Sequence, residues 1–203
     1  MKNIIIILLL VWVAMICIVE PTKTESPSYE VIEKLDDNIE IRKYHPSKWV
    51  QTSITDKCYN YNKYLNGMYM KLYNYRKGNN DQSQYVRMTV PVLTLFNSLN
   101  ESLIDFESVC NMSMRFYLPK LNQENPPQPK TDAVIVQVEE MTVAVIRHGW
   151  YPSLDDHLNN RDLLIKRLGD QAKNYDLNNV MVANYDPPWR FWCRTNEVWL
   201  RKL

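Results

Sequence analysis

The strongest constraint on this chain is an order of hydrophobic patterns that occurs twice. Tyr29 to Leu35 and Ile39 to Tyr44 alternate as strands do, and Asp36-Asp37-Asn38 between them suits a tight turn. Pro46 interrupts the second run, so Trp49 to Ile54 is expected to continue it as an edge or bulged segment. Cys58, Tyr61, Leu65, Met68, Leu72 and Tyr75 then recur at spacings of three and four. That stripe predicts a helix from about Asp56 to Tyr75, capped by Thr55 or Asp56 and followed by Gly78. Strand segments follow at Tyr85 to Val90, Val92 to Phe96 and Met112 to Leu118, and a proline-rich surface loop runs from Pro119 to Pro129.

The order then restarts. Ala133 to Glu139 and Thr142 to Arg147 predict a second hairpin around Glu139-Glu140-Met141. Ser153 and Asp156 fit a capping box, and Leu154, Leu158, Arg161, Ile165, Leu168 and Ala172 trace one face of the helix it opens. Val180 to Asn184 and Glu197 to Lys202 are the closing strands. Neither half has an obvious core of its own, which points to one barrel-like α+β domain over 29–203 made of two pseudosymmetric halves.

Ahead of it, Lys2 and an almost unbroken apolar run from Ile4 to Val19 have the layout of a secretory signal over 1–19, with a membrane-retained signal anchor as the alternative. Residues 20–28 form an extended lead-in. No later segment is long and apolar enough to span a bilayer, so the mature protein is expected to be secreted, without stable membrane insertion. Of the 4 cysteines, Cys17 lies inside the leader. Cys58, Cys110 and Cys193 remain for an oxidising compartment, and one disulfide plus one leftover thiol is expected, with the pairing open. Their wide spacing argues against zinc. Asn111-Met112-Ser113 is a glycosylation acceptor.

Composition narrows the function. The formal charge is +1, from 24 Lys and Arg against 23 Asp and Glu, so nothing in the totals favours a nucleic-acid partner. Only 4 Gly leave little room for a glycine-dependent nucleotide loop. The 13 Tyr and 6 Trp suit a cavity, an interface or a half-wet core.

Four segments carry a family resemblance. Glu40-Ile41-Arg42-Lys43-Tyr44-His45-Pro46-Ser47-Lys48-Trp49 resembles the opening signature of the SOUL family of haem-binding proteins. Arg87-Met88-Thr89-Val90-Pro91-Val92 resembles its central segment, and Tyr185-Asp186-Pro187-Pro188 with Asn196-Glu197-Val198-Trp199-Leu200 its closing one. The resemblance implies a distorted antiparallel β-barrel flanked by two helices, and noncatalytic binding of haem or another tetrapyrrole. It implies no required cofactor, with haem or porphyrin as the bound ligand. The leader marks a secreted branch, for which an interaction or structural role without haem is the alternative.

A haem site needs an apolar cleft, polar groups for two propionates and, optionally, an axial ligand. The histidine proposed as axial ligand in one subgroup corresponds to Lys43 here, and His45, two residues on, keeps its side of an extended strand. Arg42 and Lys43 are candidates for a propionate, although alternation keeps them from pointing the same way. Tyr61, Tyr64, Met68 and Leu72 are candidates for the wall of a groove beside the first helix, against the alternative of ordinary core. Trp49, Trp189 and Trp192 suit a ring-edged mouth. His148 is expected at a solvated strand end and His157 on the surface. No catalytic grouping and no metal triad can be assembled from these residues.

Overall fold

The computed structural model describes residues 24–99, 107–190 and 192–203. Nine strands form one antiparallel sheet: β1 Tyr29–Lys34, β2 Ile39–Tyr44, β3 Ser47–Lys57, β4 Val92–Ser98, β5 Val109–Tyr117, β6 Val134–Val138, β7 Met141–His148, β8 Asn179–Asn184 and β9 Asn196–Arg201. Helix α1, Tyr61–Arg76, follows β3, and helix α2, Leu154–Leu168, follows β7. The strand order is β1-β2-β7-β9-β8-β4-β5-β3-β6. Leave out β1 and exchange β2 with β6, β3 with β7, β4 with β8 and β5 with β9: the same order returns, reversed. The two halves are therefore related by a pseudo-two-fold axis between β4 and β8. The sheet curls into a half-barrel, and among the described residues its edges β1 and β6 do not pair.

That symmetry corrects several expectations. The second hairpin does not form: β6 pairs with β3 (Trp49↔Val136) and β7 with β2 (Arg42↔Val143), because each half lends its first strand to the other. Trp49 to Ile54 is no edge extension but the middle of β3, paired with β5 throughout and with β6 on the other side over Trp49, Val50 and Gln51. The first helix starts later than its stripe, since Thr55, Asp56 and Lys57 stay in the ladder with Asn111, Cys110 and Val109. The Asp56 carboxylate instead accepts from Lys57 N–H, Asn60 Nδ2 and the Tyr64 hydroxyl (2.6 Å), bracing the turn into α1. Tyr85 to Val90 forms no strand. Its backbone bonds elsewhere, Val86 N–H to Arg76 C=O and Val90 N–H to Glu25 C=O.

Cys58 and Cys110 form a disulfide, joining the end of β3 to β5. Cys193 is disulfide-bonded as well, so the expected leftover thiol is not found among the described residues.

The sheet has two differently buried faces. Both helices cover its outer face: Met68, Leu72 and Tyr75 of α1 pack with Met114 and Phe116, and Leu154, Leu158 and Leu164 of α2 with Ile39, Ile41, Val198 and Leu200. The capping box opens α2 as predicted, with the Ser153 hydroxyl accepting from Asp156 N–H at 3.2 Å. No helical residue enters the inner cluster of Tyr44, Trp49, Leu95, Tyr117, Val143, Val145, Met181 and Trp199. Side-chain alternation thus sends Ile39 and Ile41 outward under α2, and Arg42 and Tyr44 into the half-barrel. No helix among the described residues is long and apolar enough to cross a membrane.

Candidate functional site

The same alternation places Glu197 and Trp199 of β9 on the inner face, the face that Arg42 also enters. A charge buried this way must be paired and hydrogen-bonded. Arg42, 1% exposed, and Glu197, 2% exposed, meet that requirement bidentately: Nη1 and Nη2 donate to Oε2 and Oε1, each at 3.0 Å. Glu197 Oε2 also accepts from the Tyr185 hydroxyl and from Trp199 Nε1, both at 2.8 Å. Arg147 Nε lies 3.6 Å from Oε1. Arg42 Nε donates to Glu40 at 2.8 Å, and its guanidinium lies 4.6 Å from the Tyr29 ring centroid.

Burial alone would depress the Arg42 pKa, but the Glu197 carboxylate outweighs it and raises it. Burial first, then Glu197, pushes the Tyr44 and Tyr185 phenols well above their ordinary range. The Arg42 guanidinium therefore stays charged and the Tyr44 and Tyr185 phenols neutral at neutral pH.

Over these side chains opens a cleft of about 350 Å³, lined by Tyr29, Tyr44, Tyr185, Pro91, Arg147 and Glu197 among others. Its volume is at the lower end of the roughly 300–1,000 Å³ typical of ligand sites. The lead-in contributes to it directly. Ser26 and Pro27 line the cleft, held there by Val90 N–H to Glu25 C=O (2.9 Å) and His45 N–H to Ser28 C=O (3.2 Å). Tyrosines, two prolines and Val90 give the cleft an apolar part of its lining, and Arg147, 42% exposed in its side chain, supplies a cation at its margin. No group of three or more His, Cys, Asp or Glu among the described residues is placed to hold a metal.

The residues expected to form a site do not converge. Arg42 does not line the cleft; its guanidinium is bound to Glu197, which does. Lys43 and His45 have the other parity of the signature segment, where Lys43 pairs with Glu140 at 2.8 Å and His45 lies 3.8 Å from Glu30. Tyr61, Met68 and Leu72, 5%, 5% and 0% exposed, are packed core between α1 and the sheet, while the Tyr64 hydroxyl is held by Asp56. Trp49 is buried in the inner cluster, and Trp189 and Trp192 are exposed.

His157 is not on the surface: it is 2% exposed and touches His148 edge to face, ring centroids 5.4 Å apart. Sequence reasoning passed over Glu197 and Tyr185 although both lie in the closing segment. The available signal was a carboxylate on the same parity as Trp199, in a strand whose neighbours Val198 and Leu200 are core, with Arg42 as the matching cation in β2.

The family model described as "SOUL heme-binding protein" matches residues 24–201. "Heme-binding protein 2" of Mus musculus is 27% identical over 185 residues, covering 89% of this chain and 87% of the relative. "Heme-binding protein 1" of Mus musculus is 30% identical over 171 residues, covering 83% and 86%. Among solved structures, "Crystal structure of EcmrR C-terminal domain" superposes with a TM-score of 0.55 at 12% identity, over 85% of this chain and 96% of that one, a likeness of fold alone. With a match running through nearly every described element, this chain belongs to the SOUL haem-binding protein family.

Proposed function

We propose that this protein binds haem or another tetrapyrrole outside the cell and does not act on it chemically. The family match over 24–201 carries the reading, and the relatives' names describe binding and not catalysis. The apolar leader run and the Cys58–Cys110 disulfide support an oxidising, extracellular setting.

The cleft residues fit a porphyrin edge. The macrocycle lies against Tyr29, Tyr44 and Tyr185, and Arg147 meets a propionate. None of the cleft-lining residues is a His, Cys or Met. A tyrosinate ligand requires a deprotonated phenol, which burial and Glu197 oppose at Tyr44 and Tyr185. Affinity then comes from buried ring area and one charge contact, without a protein–iron bond. The exposed indoles of Trp150, Trp189 and Trp192 favour the second reading, a protein-interaction surface beside the ligand site.

Titration of the purified protein with ferric haem and with iron-free protoporphyrin, followed by absorption and tryptophan quenching, separates these readings. Both ligands are expected to saturate with affinities within about tenfold, ~1.4 kcal/mol. His45→Ala should leave binding intact and Arg147→Gln should weaken it severalfold. Absence of saturable binding by either ligand would overturn the proposal, and haem binding that protoporphyrin cannot match would restore an axial ligand.

A further inference from the structure

Helix α1 ends on two cations set against two phenol rings, away from the residues that line the cleft. Arg76 is 7% exposed, with its guanidinium carbon 5.3 Å from the Tyr73 ring centroid and 5.2 Å from that of Tyr85. Lys77 Nζ lies 5.7 and 5.4 Å from the same two rings. Arg76 Nη2 donates to the Tyr85 hydroxyl at 2.8 Å, and Arg76 Nε is buried with no partner.

Three arginines are buried among the described residues, and the other two show how this protein treats such a charge. Arg42 faces Glu197 at 3.0 Å, and Arg161 faces Asp162 at 2.7 Å. Arg76 has no carboxylate at ion-pair distance among the described residues, and neither does Lys77 beside it. A buried guanidinium without a counter-ion lacks the partner that normally offsets its desolvation.

The surrounding backbone fixes the cluster in place. Helix-end carbonyls would repel an anion, but Lys77, Gly78 and Asn79 N–H bond back to the carbonyls of Tyr73, Asn74 and Tyr75. Gly78, at φ +109°, turns the chain so tightly that a Cβ there would sit 3.3 Å from the Ser83 carbonyl oxygen. Asn80 then ties the returning loop, its Nδ2 donating to Tyr75 C=O at 3.0 Å and Gln84 C=O at 2.8 Å. This delivers Tyr85, 55% exposed, over Arg76. Because the Tyr85 oxygen accepts from Arg76, its own proton remains available to donate.

We propose that Arg76, Lys77 and the Tyr85 hydroxyl form a binding site for a compact oxyanion, a phosphate or a carboxylate group. Arg76 supplies a preoriented fork, Lys77 a mobile charge and Tyr85 a neutral donor.

The test uses the purified protein without any tetrapyrrole, so its outcome is separate from that of haem binding. Inorganic phosphate and, in a parallel arm, citrate are titrated at ionic strength held constant with sodium chloride, and the tyrosine ring resonances are followed. Saturable shifts of the Tyr73 and Tyr85 resonances are expected in at least one arm, which also identifies the anion class. Lys77→Gln should weaken binding at least fivefold and Tyr85→Phe by a smaller factor. Both positions are solvent-facing, so these variants keep the test decisive even if Arg76→Gln fails to fold. No saturation in either arm, or an affinity unchanged in Lys77→Gln, would overturn the proposal.

Discussion

The buried charged and titratable side chains obey different rules according to what faces them. Arg42 and Glu197 keep their charges because each is the other's counter-ion, and removing either would leave the other uncompensated, at a cost of about 3–5 kcal/mol. His157 is in the opposite situation. Burial first, then His148, lowers its pKa to about 4, with Asp156 only partly opposing, and its Nδ1 has no hydrogen-bond partner. The unfolded chain takes up a proton near pH 6.5 and the folded chain does so only near pH 4. Between those values the unfolded state binds more protons. The stabilisation from a neutral, buried His157 is therefore complete above pH 6.5 and is lost as pH falls toward 4, to a limit of about 3 kcal/mol. Urea unfolding at pH 7 and pH 4.5 should show this loss in the wild type and a smaller one in His157→Phe; equal losses would show that His157 is not its source. Its spacing, three residues after Leu154 and four before Arg161, also fits the buried face of α2, but a stripe drawn through Leu158 leaves it out, and its cover by His148 at the end of β7 is a tertiary contact.

At the scale of elements, local chemistry was legible and pairing was not. The stripe of α1 and the capping box of α2 depend on residues three and four apart, so both helices follow from the sequence, including the φ +109° glycine beyond α1. Leu164, 0% exposed, is nevertheless absent from the stripe, because a step of four from Arg161 leads to Ile165 where a step of three leads to Leu164. Partnership between strands is a long-range property, and the short Glu139-Glu140 connection suggested a hairpin where the chain crosses from one half to the other. The cleft shared this fate: its lining comes from segments as distant as Pro27 and Glu197. The disulfide is one long-range tie whose pairing could not be chosen beforehand. It closes a sequence separation of 52 and fixes the end of β3 on β5, with both cysteines 0% exposed. The double change Cys58→Ala and Cys110→Ala should lower the unfolding free energy by roughly 2–4 kcal/mol, read from the denaturant midpoint at unchanged slope. A loss below about 0.5 kcal/mol would mean that the unfolded chain is already restrained there.

For the whole molecule, the exchange of first strands makes the two halves interdependent. Without β6, strand β3 would have one free edge; without β7, strand β2 would keep only β1; and without β2, strand β7 would keep only β9. The inner cluster divides the same way, since Tyr44, Trp49, Leu95 and Tyr117 come from the first half and Val143, Val145, Met181 and Trp199 from the second. So does the buried ion pair, with Arg42 in one half and Glu197 in the other. Separating the halves thus opens hydrogen-bonding edges, exposes one shared core and strands two opposite charges, each of which disfavours an isolated half. A chain divided in the loop between β5 and β6, at the exposed Lys130, should give two fragments without cooperative unfolding transitions. Mixed at equal concentration, they should recover the circular dichroism of the intact protein, because the pairings that join the halves, β2 with β7, β3 with β6 and β4 with β8, can form between separate chains. A cooperative transition in the 131–203 fragment alone would show that β7, β8, β9 and α2 form a self-sufficient unit, and that the strand exchange decorates two folded halves instead of creating them.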